Sequence, residues 1–418
     1  MIQLIRGFKD ILPGETALWQ HIEKTATALF SAFGFGEIRL PIMEKTELFA
    51  RSIGEDTDIV EKEMYTFTDR GGDQLTLRPE ATASLVRSYI QHKMYADEPV
   101  RRFYTIGPMF RRERPQKGRY RQFYQINVEA FGIEGPFIDA QMIYMLHTLF
   151  EQLGVHGTQA HVNSLGCPEC RPKFRDALLA LLDGAEDQLC SDCRRRKARN
   201  PLRVLDCKVP GCRQAVKGAP AIVDYLCDDC RQHFEVVKQV LTRNDIPFVL
   251  DKRLVRGLDY YTRTTFEIQT TALGAQSAVA GGGRYDGLVK ALGGPATPGI
   301  GFAIGFDRLV EILAQQSDIQ APNPQLYIAA LGDKAREMAF QWTLALAKGG
   351  LHVDMEHANK SLKAQMKRAN RLKAAHVLIV GEDELAAGKG VLRDMATKEQ
   401  IDLSIDNIIE TLQQRLLA

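Results

Sequence analysis

The chain contains no run of about 18 uncharged apolar residues, the length a membrane-spanning helix needs. Its opening, MIQLIRGFKDILPGE, places Arg6, Lys9 and Asp10 where a secretory signal must be uncharged. Neither membrane insertion nor secretion is expected, and a cytoplasmic location follows as the expectation. There is no G-x-x-x-x-G-K-[ST] phosphate loop, Gly281 to Gly283 do not fit a dinucleotide fingerprint, and no nucleophile elbow supports a Ser-His-Asp hydrolase. Cysteine is missing from everything outside residues 167–230. An excess of charge of one sign is missing too, since 54 Lys and Arg face 52 Asp and Glu.

That near-neutral sum hides three basic stretches. Residues 101–121 hold eight Arg or Lys against Glu113 alone, residues 190–217 hold nine against Asp192 and Asp206, and residues 360–373 hold six with no acid. One such run is usually a solvated face. Three in a neutral protein suggest a polyanionic partner. At 418 residues, 45% hydrophobic and 25% charged, the chain has enough apolar surface for two or three folding units, and wholesale disorder is not expected.

All eight cysteines fall into pairs: Cys167 and Cys170, Cys190 and Cys193, Cys207 and Cys212, Cys227 and Cys230. Three pairs have the two-residue spacer that lets both thiolates reach one tetrahedral ion. Disulfides would need an oxidising compartment, so two four-sulfur zinc sites are expected. The competing reading is a set of reduced, partly buried thiols. Spacing leaves open which pairs share an ion.

Along the chain, apolar residues recur at helical intervals from Ala17 to Phe33. A turn and a strand interrupted by Pro41 follow. QLTLRPEATASLVRSYI reads as a strand ended by Pro79 and then a helix. RRFYTIGPMFRRE and RYRQFYQINVEAFG read as strands of a hairpin joined by ERPQKGRY, which predicts an antiparallel sheet. The cysteine-rich texture then interrupts, and strand composition returns at DKRLVRGLDYYTRTTFEIQT. Residues 167–241 therefore read as an insertion between 1–166 and 242–318. The spacing of Gly299, Gly301 and Gly305 predicts a strand to which something approaches closely. SDIQAPNPQ reads as a linker, and a strand and helix rhythm after it predicts a small α/β domain over 323–418 with a mostly parallel or mixed sheet. There, Lys360, Lys363, Lys367 and Arg371 share one helical face, with Leu362, Met366 and Leu372 on another.

FRRERPQKGRYRQF brings many arginines to a strand, loop and strand, which suits a nucleotide triphosphate whose charge is neutralised as it reacts. Together GFGEIRLP, FRRERPQKGRYRQF and GIGFAIGFDR resemble the three motifs of class II aminoacyl-tRNA synthetases. TLRPEAT and RGLDYYT resemble signature segments of histidyl-tRNA synthetases, and the likeness runs from RGFKDILP to the last domain. One departure is Asp307 before Arg308, where that class generally has glutamate.

The resemblance implies an antiparallel catalytic sheet, a C-terminal anticodon-binding domain, a homodimer through motif 1, and a ligase using L-histidine, ATP with Mg2+, and tRNA(His). It implies that Arg111 and Arg256 approach the α-phosphate from two sides and that Arg308 clamps the far end of ATP. It assigns Glu113 to the adenine amino group and Phe123 to the underside of the ring. Glu80, Thr82 and Gln125 would surround the ammonium group. Glu129 and Tyr261 would meet the imidazole nitrogens, with Tyr260 beside them. Each of these residues taken singly would more often be structural, and only their joint occurrence favours a site. Zinc in the insertion is not implied by the resemblance and rests on the cysteines alone. The same family includes a catalytically silent relative that regulates a histidine-biosynthesis phosphoribosyltransferase and generally lacks the last domain. A zinc- or nucleic-acid-binding module resting on residues 167–230 would explain only the cysteines.

Overall fold

The structure, a computed structural model, describes residues 1–54, 57–116, 118–270, 278–317 and 319–417. Lys117 of the second motif and Asp318 of the proline-bearing stretch lie outside these residues. The chain divides into two compact units, Met1–Gln320 and Ala321–Ala418, and the division falls within SDIQAPNPQ.

Among the described residues the first unit holds eleven strands. They are β1 (Gly36–Glu37), β2 (Met43–Lys45), β3 (Tyr65–Thr68), β4 (Gln74–Leu77), β5 (Arg101–Phe110), β6 (Gln122–Phe131), β7 (Thr158–Ser164), β8 (Phe248–Leu250), β9 (Thr262–Thr270), β10 (Ala278–Arg284) and β11 (Gly299–Gly305). Eight form one sheet in the order β1-β5-β6-β11-β10-β9-β7-β8, and β2-β4-β3 form a small second sheet. The expected hairpin is present as antiparallel β5 and β6, with Arg101 opposite Phe131 and Phe110 opposite Gln122. The large sheet is antiparallel through its centre and parallel only at its two edge pairs, β1 with β5 and β7 with β8.

Alternation along the central strands decides what each face does. On β6, Ile126, Val128 and Ala130 enter the main core, as do Ile300, Phe302 and Ile304 on β11. That core is closed by the helices Thr16–Ala32 and Pro136–Gln152, whose buried faces supply Trp19, Phe30, Met142, Leu146 and Leu149. The other face of β6 presents Gln125, Asn127 and Glu129, and its neighbours there are small. Glu129 pairs with Gly301 and Asn127 with Ala303 on β11, while Gly283 and Gly281 of β10 continue those rows to Thr265 and Glu267 on β9. Two central strands of glycine and alanine thus floor a trough walled by polar side chains.

The cysteine-rich stretch is helical, with helices Arg171–Asp183, Ser191–Arg199, Pro210–Ala215 and Asp228–Arg243. Its apolar residues Phe174, Leu178, Leu182 and Val204 share a hydrophobic cluster with Leu85, Tyr261 and Tyr285 of the trough side. The last of these helices packs Phe234, Val237 and Leu241 into the main core. It also carries His233, whose Nε2 lies 2.7 Å from Asp139 Oδ2, and Arg284 Nε donates to Asp139 Oδ1 at 3.0 Å. Burial would raise the Asp139 carboxyl, but the bond from His233 and the Arg284 guanidinium hold it below its ordinary value.

The second unit holds β12 (Leu326–Ala330), β13 (Val353–Met355), β14 (His376–Val380), β15 (Lys389–Asp394) and β16 (Gln400–Ser404). Its sheet, ordered β13-β12-β14-β15-β16, is parallel on one side and antiparallel on the other, a mixed sheet. The basic helix runs Leu362–Arg371 from an N-cap at Ser361, so Lys360 lies before the helix and not on its face. Leu362, Met366 and Leu372 pack inward as their spacing predicts. Arg368 pairs with Asp354 and Glu356, while Gln365, buried, bonds to both the amide and the carbonyl of Ala330.

Candidate active site

The trough opens into a cleft of about 640 Å³ whose lining includes Glu80, Thr82, Arg111, Glu113, Phe123, Gln125, Glu129, Arg256, Tyr260, Tyr261 and Arg308. All eleven non-cysteine residues singled out in the sequence therefore come together, although the first and last of them stand more than two hundred positions apart. Asn127, Glu267 and Tyr285 line it too and carry no sequence signal beyond their neighbours. Tyr285 follows the glycines of AGGGRYDG, a stretch that by itself points to close packing and not to a binding side chain.

One end of the cleft is basic. Arg111 follows β5 directly, and its Nε donates to the Pro79 carbonyl at 2.9 Å. Its guanidinium carbon stands 5.3 Å from the centre of the Phe123 ring, a cation–π contact. Glu113 lies 3.8 Å from Arg111 and 3.1 Å from Arg119. Arg308, in the first turn of the helix Phe306–Gln316, donates to the carbonyls of Ala278 and Gly118. The shorter acid before it ties that helix to β6, because Asp307 Oδ2 accepts the Tyr124 amide at 2.8 Å. Arg256 is paired with Glu267 across β9 and is seated over Gly281, where any Cβ would lie 2.6 Å from the guanidinium nitrogens.

The other end is acidic and phenolic. Glu80 accepts the amides of Thr82 at 2.7 Å and Ala83 at 2.8 Å, capping the helix Thr82–Gln91. Thr82 Oγ1 donates to Glu129 Oε1 at 2.6 Å and Tyr285 Oη donates to Glu129 Oε2 at 2.5 Å. Burial pushes the Glu129 carboxyl up to about 8 against the pull of those two hydroxyls. Burial also raises Glu80 and the phenols of Tyr260, Tyr261 and Tyr285. Tyr260 lies with its ring centre 4.7 Å from that of Tyr261 and 5.6 Å from that of Tyr285. Three buried polar atoms in the cleft have no hydrogen-bond partner among the described residues: Gln125 Oε1, Asn127 Oδ1 and Arg256 Nε. Buried groups rarely stay unpaired, so a polar ligand is what this cleft is shaped to receive.

The closely approaching groups that the glycine spacing announced are the site's own side chains. A Cβ on Gly301 would fall 1.5 Å from Glu129 Oε2, and one on Gly299 would fall 2.4 Å from the Tyr285 ring. Gly305 differs, since the nearest atom to its notional Cβ is 3.6 Å away.

The eight cysteines are free thiols that assemble into two groups of four: Cys167, Cys170, Cys227 and Cys230, and Cys190, Cys193, Cys207 and Cys212. Pairs adjacent in sequence are shared between the ends of the stretch in one group and within its middle in the other, a nesting that spacing left open. In each group the sulfurs lie within 4.8 Å of one another. No described helix is long and apolar enough to cross a membrane.

Comparison with known proteins matches residues 7–309 to the histidyl-tRNA synthetase profile and residues 325–415 to the anticodon binding domain profile. The chain is 62% identical to the histidine–tRNA ligase of Desulfatibacillum aliphaticivorans, covering 98% of each. It is 60% identical to the histidine–tRNA ligase of Desulfosudis oleivorans over 98% of this chain and 97% of that one. Among solved structures it resembles apo histidyl-tRNA synthetase of S. aureus, with TM-score 0.84, 36% identity, and coverage of 98% and 99% of the two chains.

Proposed function

The chain belongs to the histidyl-tRNA synthetase family, a family of ligases, and we propose that its cleft joins L-histidine to ATP and then passes the histidyl group to tRNA(His). The observation that carries this is the convergence of Arg111, Arg256 and Arg308 on one cleft whose far end presents Glu129 between two hydroxyl donors. A silent regulatory subunit is disfavoured by full-length likeness to proteins named as ligases and by the anticodon binding domain match.

In the first step a histidine carboxylate oxygen bonds to the α-phosphorus, the bond from that phosphorus to the bridging oxygen breaks, and pyrophosphate leaves. No protein nucleophile is required, so alignment and charge stabilisation are the protein's contribution. Arg111 and Arg256 take opposite sides of the α-phosphate, and Arg308 holds the distal phosphates against the adenine. Phe123 supports the adenine, which takes the place now held by the Arg111 guanidinium over that ring, and Glu113 accepts from its amino group. Glu80, Thr82 and Gln125 receive the ammonium group, the unpaired Gln125 Oε1 being a ready acceptor. Glu129 and Tyr261 take the imidazole nitrogens, with Tyr260 and Tyr285 closing the pocket. A site with polar groups for both ring nitrogens rejects apolar side chains because its own groups would go unpaired. Magnesium would supply neutralisation of phosphate charge, and Glu267, whose carboxylate lines the cleft, would offer a hard oxygen donor that suits it. In the second step a terminal ribose hydroxyl oxygen bonds to the histidyl carbonyl carbon, the bond from that carbon to the phosphate oxygen breaks, and AMP leaves, its phosphate taking up the hydroxyl proton.

For tRNA, the exposed Lys363 and Lys367 of the last unit suit the anticodon, and Lys208, Arg213 and Arg253 at the cleft mouth suit the acceptor arm. A homodimer through the first motif is supported by its surface position, where Ile42 and Met43 stand exposed beside it. Reduced thiols fit a cytoplasmic location.

Each thiol group suits zinc. Around an ion with Zn–S near 2.3 Å, tetrahedral sulfurs stand about 3.8 Å apart. Cys167 lies 3.6 Å from Cys170 and 3.9 Å from Cys227, and Cys190 lies 4.0 Å from Cys207. Burial raises the thiols of Cys170, Cys193, Cys212 and Cys230, a cost that a bound cation reverses.

The deciding experiment is pyrophosphate exchange across all twenty amino acids. Exchange confined to histidine is expected, and exchange with another amino acid, or none, would overturn the reading.

A further inference from the structure

The segment from Arg256 to Tyr261 brings an arginine and two tyrosines to the cleft, yet it contains neither helix nor strand. Its backbone is held from outside, by side chains of the cysteine-rich stretch. Arg171, the residue directly after Cys170, donates from Nη2 to the Tyr261 carbonyl. Arg203, which lies between Cys193 and Cys207, donates from Nη1 to the Arg256 carbonyl at 3.0 Å. Asn200 Nδ2 donates to Asp259 Oδ1 at 2.9 Å, and the Asp259 amide in turn donates to the Ile53 carbonyl. Each cysteine group therefore sends one guanidinium to one end of the same irregular segment.

We infer that Arg171 and Arg203 are positioning residues for histidine activation, each anchored by its own four-thiol group and each fixing one carbonyl of the segment that carries Arg256, Tyr260 and Tyr261. The inference rests on the activation reading and extends it to residues that touch neither substrate. The physical ground is that an irregular segment has no ladder of its own to resist drift, and a displacement of about 1 Å at a reacting group costs on the order of a hundredfold in rate. The arginines meet the carbonyls at the two ends of the segment, so removing Arg203 frees the Arg256 end alone, while removing Arg171 frees the Tyr261 end and also gives up its 3.4 Å bond to the Leu165 carbonyl just beyond β7; the motif 2 hairpin and Arg308 touch neither arginine's bonds. A carbonyl is the acceptor in both cases, and the Arg171 charge is in addition felt by Asp259 of the same segment, so a lysine of suitable reach would serve in part.

The test compares Arg171→Ala and Arg203→Ala with Arg171→Lys and Arg203→Lys in histidine-dependent pyrophosphate exchange by the full chain. The alanine variants are expected to lose on the order of 10- to 100-fold in kcat with KM for ATP within about twofold of the parent. Zinc content and thermal midpoint are expected to match the parent, and lysine is expected to recover part of the rate. Alanine variants that exchange within twofold of the parent overturn the inference alone. So does a loss matched by an equal fall in zinc content or midpoint, or one that lysine does not relieve, since either marks a structural role. Absence of exchange in the parent protein would retire the activation reading first and this inference with it.

Discussion

Burial, reinforced by the neighbouring Glu80 carboxyl, pushes the Glu129 carboxyl up to about 8 against the pull of the Thr82 and Tyr285 hydroxyls, and the protonated form this favours near neutral pH is wrong for accepting an imidazole N–H. Binding histidine should therefore expel its proton. Titration calorimetry at pH 7 in buffers of different ionisation enthalpy is expected to report proton release close to one per site, absent in Glu129→Gln, and apparent affinity should rise as pH approaches about 8. The sign for stability is opposite. A carboxyl whose folded value stands above its unfolded value favours folding fully at low pH, and that contribution is lost as pH rises through about 8. Arg256→Ala removes a preorganised donor to the α-phosphate and is expected to lower histidine-dependent exchange by about 10²- to 10³-fold while the circular dichroism spectrum stays unchanged. RGLDYYT and TLRPEAT made Arg256, Tyr260, Tyr261, Glu80 and Thr82 legible as a set. Tyr285 was not legible, because its partner Glu129 lies 156 positions away and only the pairing of β10 with β11 and β11 with β6 brings them together.

At the scale of elements, β11 shows a pattern readable in one dimension with a cause that needs three. Alternating glycines announced a close approach, and the approaching groups are Glu129 and the Tyr285 ring. Gly301→Ala is expected to raise KM for histidine by on the order of tenfold or more, measured in the exchange assay, because the methyl group occupies the carboxylate's place. The Asp139 cluster joins the helix Pro136–Gln152, β10 and the helix Asp228–Arg243, and it is fully buried. Asp139→Ala strips the buried Arg284 guanidinium of one of its two carboxylates, leaving Asp286 and the carbonyls of Ile133 and Gly135, and a loss of about 3 kcal/mol in denaturant unfolding is expected. The thiol groups predict two zinc per chain by elemental analysis, falling to one in Cys193→Ser and in Cys230→Ser separately. Equal loss of both ions in either variant would contradict two independent sites.

Across the whole molecule, histidine activation is assigned to the first unit and anticodon recognition to the second, and this separation is measurable. Lys363→Glu with Lys367→Glu is expected to weaken tRNA binding by about tenfold or more while exchange is unchanged, since each lysine contributes to a salt-dependent phosphate contact. Equal losses in both assays would contradict the assignment. What the sequence by itself determined is local: the strand and helix periods, the proline-bearing division, the four cysteine pairs, and the arginine-rich and RGLDYYT segments. Each of these is written within a few consecutive residues, where backbone geometry and side-chain spacing act directly. Only the tertiary structure decided which cysteine pairs share a centre, which acid meets which hydroxyl, and which arginines hold the Arg256 segment from behind. Those are contacts between residues far apart in the chain, fixed by strand register and by the packing of the cysteine-rich helices, and no local pattern records them.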